Sequence, residues 1–142
     1  MSTIPSTPLR TARLTLPPVV LLFAGVVATV VGLSLGAAPS QFYAGYGVTL
    51  GDSVSLHNEM RGTAGPLAAG GSVLVVSAFN AKLRELAAAF GALLYLGYAA
   101  GRCTSFVLDG FPHPNLVYAA AVELVLGTAC GWVYISMAQS KQ

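Results

Sequence analysis

Charge is scarce in this chain: seven Lys and Arg and five Asp and Glu make up 8% of 142 residues, against roughly 25% in an ordinary soluble domain. The net charge of +2 is small and dispersed, which excludes the basic face that nucleic-acid binding requires. Cysteine is rarer still. Cys103 and Cys130 form no CxxC motif and, read on helices, fall in different layers of a membrane, so buried free thiols are expected and not a disulfide. The two histidines, His57 and His113, sit in or beside connecting segments without ligand spacing, and no metal or other cofactor is expected. No glycine-rich phosphate loop is present and no Ser–His–Asp set follows from the spacing. No catalytic residue is therefore assigned, and the chain is not read as an enzyme.

What fills the chain is apolar residues, 55% of the whole. Leu14 to Gly51 carries no charge and neither does Gly62 to Ala81, while Leu86 to Leu108 carries only Arg102 and Pro114 to Ser140 only Glu123. Each stretch is near the ~20 residues that cross a ~30 Å hydrocarbon layer. The expected fold is all-α, an integral membrane four-helix bundle in a single domain, with spans at about 17–38, 61–80, 86–108 and 114–138. The first span resembles a secretory signal in having Arg10 and Arg13 before it. Its apolar run, Val19 to Leu35, exceeds the 7–15 residues of a typical signal core, so it is read as a retained helix.

Basic residues set the orientation, because retained Lys and Arg mark cytoplasmic segments. Arg10, Arg13, Lys82, Arg84 and Lys141 all fall on one side of the four spans. Both termini are accordingly expected in the cytoplasm, with 39–60 and 109–113 outside. The longer outer connection begins with Phe42, Tyr43 and Tyr46 among glycines, an irregular interfacial segment by composition. Asp52 then suits a helix N-cap, with a helical start near Ser53 that carries His57, Asn58, Glu59 and Arg61 into the second span. Pro66 is placed to kink that helix or end its first segment.

Two charges lie inside spans, and such charges need a reason. Arg102 is six residues before Leu108 and Glu123 eight after Asn115, roughly 9 Å and 12 Å below the outer ends of their helices. Antiparallel neighbours put them at one level, where a guanidinium and a carboxylate satisfy each other. Tyr95, Tyr98, Arg102, Ser105 and Asp109 recur at helical spacing as one polar stripe. The reading is a polar pocket in the outer half of the bundle, lined by Arg61, Arg102, Glu123 and Asp109, with Asn58, Glu59, Tyr98 and Ser105 nearby. The competing account makes Arg102 and Glu123 a lock between two helices. Small residues spaced by four, Gly32 with Gly36, Gly97 with Gly101, Gly127 with Gly131, and the Arg61, Gly65, Ala69, Ser72 face, mark candidate helix contacts.

Asn58-Glu59-Met60-Arg61-Gly62, Gly101-Arg102-Cys103-Thr104-Ser105, Asp109-Gly110-Phe111-Pro112 and Glu123-Leu124-Val125-Leu126-Gly127 together resemble the bacterial membrane family catalogued as domain of unknown function 4345. The resemblance runs from the first helix to the fourth and leaves out Met1 to Arg13. It implies a small multi-pass protein of a bacterial inner membrane, with no activity attached. The partners expected are membrane lipids and either other membrane protein subunits or further copies of the chain. A non-enzymatic accessory subunit of a larger membrane complex is the favoured reading. The alternative is binding or transport of a lipid or small anionic ligand through the polar pocket.

Overall fold

Lipid offers no hydrogen bonds, so a segment crossing it must satisfy its own backbone, and an α-helix does this within one segment. The computed structural model describes residues 16–140; Arg10, Arg13 and Lys141 lie outside the described residues. It is all-α: α1 Leu16–Ala37, α2 Pro39–Ala44, α3 Val54–Phe79, α4 Arg84–Leu108 and α5 Pro114–Gln139. Four of these, all but α2, are long and apolar enough to cross a membrane. Large apolar side chains point outward from them, with Phe79 77% and Leu93 76% exposed. An outer surface of that kind is at home in lipid and not in water.

Three local details differ from expectation. The segment after α1 is not irregular throughout, because Pro39 starts the short helix α2. The cap of α3 is Ser53, whose hydroxyl accepts from the Leu56 amide at 3.3 Å, and Asp52 stands one residue outside it. Pro66 neither ends nor divides α3, which runs unbroken from Val54, well before residue 61.

Two helix pairs make the bundle. α1 packs along α3 and α4 along α5, while the pairs touch more sparsely. The first interface is built on absent side chains. A Cβ on Gly32 would stand 2.5 Å from the Ala68 amide nitrogen, one on Gly25 2.6 Å from that of Val75, and one on Gly71 would strike the Thr29 backbone. Backbone meets backbone here, which is what small residues permit between membrane helices. The small-residue face of α3 is thus Ala64, Ala68 and Gly71, one position round from the expected face, on which Gly65 meets nothing within 4 Å. Gly97 and Gly101 are likewise open, whereas Gly127 seats Leu96 of α4.

At the α3–α4 end the core closes completely around Leu21, Leu74, Ala88, Cys130 and Val133. Cys130 is the buried free thiol expected, but Cys103 is exposed. Across the pairs, the Tyr95 hydroxyl donates to the Ala24 carbonyl of α1. Arginines finish two helices: Arg61 Nε donates to the Gly36 carbonyl at 3.2 Å and Arg84 Nη2 to the Ala78 carbonyl at 2.9 Å. Both satisfy carbonyls that the last turn of a helix leaves without an amide.

Candidate functional site

Toward the opposite end the pairs part, and a cavity of about 650 Å³ lies between them. Val27, Val31 and Leu35 of α1 and Leu67 of α3 make one wall; Tyr95, Tyr98 and Arg102 of α4 with Tyr118, Val122 and Glu123 of α5 make the other. Phe42, Tyr43 and Tyr46, from α2 and the turn after it, complete the lining. Their rings lean on one another, Phe42 and Tyr43 edge to face at 5.6 Å and Phe42 and Tyr46 at 5.3 Å.

α2 is held over the cavity by hydrogen bonds to its neighbours. Asn115 Nδ2 donates to the Gly45 carbonyl at 2.9 Å. Ser40 Oγ and His57 Nε2 are 2.8 Å apart, while His57 Nδ1 is 2.9 Å from the Ser53 carbonyl. A carbonyl only accepts, so Nδ1 carries a proton and donates to it. Gly47, at φ 72°, turns the chain back beside the His113 ring; only glycine takes that backbone conformation without strain.

Arg102 and Glu123 meet as their depths predict. One guanidinium nitrogen, Nε, donates to both carboxylate oxygens, at 3.0 Å to Oε1 and 2.8 Å to Oε2. Among the described residues, Nη1 and Nη2 donate to no protein group, and the hydroxyls of Tyr43, Tyr98 and Tyr118 have no hydrogen-bond partner. Burial pushes the Tyr43 phenol above its ordinary pKa, and the Arg102 guanidinium offsets this only in part. Tyr43 therefore stays a protonated donor at physiological pH. The result is a largely apolar chamber with unspent donors among its polar groups.

The remaining residues expected in the pocket are elsewhere. Arg61 is committed to α1, and with Asn58 it borders a separate shallow depression beside Asp52 and His57. Glu59 is exposed and lines neither hollow. Asp109 is the C-cap of α4 and accepts from Ser105 Oγ at 2.8 Å, which turns that part of the polar stripe away from the cavity. Among the described residues, no group of three or more His, Cys, Asp and Glu side chains could hold a metal ion. The lining residues that sequence reasoning missed include Asn115 and Tyr118. Stepping back from Glu123 by four gives Ala119 and then Asn115, and three on from Asn115 is Tyr118; that spacing was the available signal. Tyr43 and Tyr46 had no local signal, since only the fold returns α2 over the bundle.

Fold and site together define a helical multi-pass membrane protein with a half-open, largely apolar cavity between its helix pairs. The chain belongs to the family described as Domain of unknown function (DUF4345), which it matches over residues 18–134. No curated protein matches it, and no solved structure does either.

Proposed function

We propose that the protein binds a small amphiphile in the cavity between its helix pairs. One observation carries this reading: a chamber of about 650 Å³ with largely apolar walls in which, among the described residues, the charged lining groups are Arg102 and Glu123, paired with each other. Ligand sites have this size and this mixture of apolar walls with a few convergent polar groups. The test is native mass spectrometry of the protein extracted gently from its own membranes. A bound small molecule at fixed stoichiometry, lost when Ala119→Trp fills the chamber, is the expected result. A variant that folds yet retains the molecule would show that it binds elsewhere.

A second reading is an accessory subunit of a larger membrane complex, or self-association. It is favoured by the open Gly97 and Gly101 on α4, where a further helix has room to approach. Unrelated polypeptides at constant ratio in the same spectra would establish it.

The family and the placement of the basic residues support a bacterial cytoplasmic membrane with both termini inside. The α3–α4 turn, which carries Lys82 and Arg84, is then cytoplasmic. In a Cys103→Ser background, Leu83→Cys should resist an impermeant maleimide in intact cells and react after lysis. Labelling from outside would reverse the orientation.

A further inference from the structure

The chamber contains a second, more discriminating piece of chemistry in its charge balance. Its lining includes one cation and one anion, Arg102 and Glu123, and they are already paired. A carboxylate or phosphate entering beside them leaves one negative charge in excess, and an ammonium leaves one positive charge in excess. In a half-buried site walled by hydrocarbon either excess is costly. An uncharged head adds no such charge.

Hydrogen-bond capacity points the same way. Among the described residues, the lining groups without a protein partner are richer in donors than in acceptors: Nη1 and Nη2 of Arg102 only donate, while the hydroxyls of Tyr43, Tyr98 and Tyr118 donate and accept. Both Glu123 oxygens already accept from Nε. The group that complements this set accepts hydrogen bonds and carries no charge, which is the description of a carbonyl oxygen. The anionic ligand expected from isolated arginines does not suit a guanidinium already neutralised by its neighbour.

We infer that the chamber selects uncharged, carbonyl-bearing amphiphiles of the ester or ketone class, with the carbonyl oxygen on the Arg102 amino groups and neighbouring tyrosine hydroxyls and the apolar body along α1 and α3. Glu123 is the selecting residue: by holding Nε it neutralises Arg102 while leaving the other two nitrogens free to donate. This rests on the pocket reading proposed above.

Methyl laurate and laurate make a matched pair, since they share a chain and differ in the charge of the head. The full chain in nanodiscs, at about pH 8.5 and far above the ordinary carboxylate pKa of roughly 4.3, is photolabelled with a diazirine derivative of methyl laurate. Labelled peptides are mapped, and each unlabelled compound competes at a known mole fraction in the bilayer. Labelling is expected on the peptides that contain Tyr43, Tyr98 and Tyr118, with methyl laurate competing about ten-fold or more better than laurate, as one unpaired charge in such a site implies. In Glu123→Gln the preference should invert, because Arg102 then lacks its anion. Tyr98→Phe, which leaves the ion pair intact, should weaken competition by methyl laurate and provides the test if Glu123→Gln does not fold. Equal or better competition by wild-type laurate would overturn the inference while leaving the pocket in place. Labelling that neither compound displaces, or that falls outside these peptides, would overturn the pocket reading as well.

Discussion

Glu123→Leu should destabilise the protein by about 3–5 kcal/mol, because it strands the Arg102 charge inside the bundle. Glu123 is only 14% exposed and Arg102 29%, so water reaches the pair poorly. Among the described residues the guanidinium has no alternative carboxylate in the cavity lining, and Asp109 is turned to Ser105. Arg102→Met combined with Glu123→Leu removes both charges and replaces them with apolar groups that suit the surroundings. That double variant should lie within about 1–2 kcal/mol of the parent, since a buried pair is often replaceable as a unit. The full cycle is measured by thermal or denaturant unfolding in micelles, with the coupling taken from all four chains. Additive single and double effects would mean that the pair is not a unit. If native mass spectrometry finds a molecule on the parent and none on a stable double variant, the pair's role in binding separates from its role in folding.

The second large effect lies at the α1–α3 interface. In an exposed helix Gly→Ala stabilises by roughly 1 kcal/mol. At Gly32 the sign should reverse, because the new methyl would stand 2.5 Å from the Ala68 amide nitrogen and 2.9 Å from the Ala64 carbonyl oxygen. Those neighbours are backbone and cannot rotate aside. Gly32→Ala, and Gly71→Ala against the Thr29 backbone, should each cost about 1–3 kcal/mol or more, as overpacking does. Gly97→Ala and Gly101→Ala, where an added methyl meets nothing within 4 Å, should be neutral or mildly stabilising in micelles. A common response at all four glycines would show that helix propensity and not close packing governs them.

The sequence makes the membrane spans legible because lipid imposes one simple requirement, a long uncharged helix. It also makes Arg102 and Glu123 legible as a pair, since the rise per residue converts sequence position into depth and antiparallel helices share a level. Arg61 misled because a lone arginine near a helix entrance looks the same whether it faces a pocket or caps another helix. The Gly36 carbonyl that it reaches is 25 positions away, and nothing local announces that partner. The face of α3 misled for a related reason. Glycine and alanine are so frequent along it that two small-residue rows, one position apart, fit equally well, and only α1 decides between them. Asp109 looked like part of a pocket through its place in the stripe, but at the last turn of α4 its carboxylate has Ser105 within reach.

The close contacts of Gly25, Gly32 and Gly71 and the seat of Leu96 on Gly127 lie within the helix pairs, whereas the cavity lies between them. The two faces of each helix are therefore open to different selective pressures. Exchanging Val31, Tyr98 or Tyr118 would reshape the cavity while the glycines that zip each pair remain untouched. A chain built on this plan can change the shape of its hollow without having to rediscover how to fold.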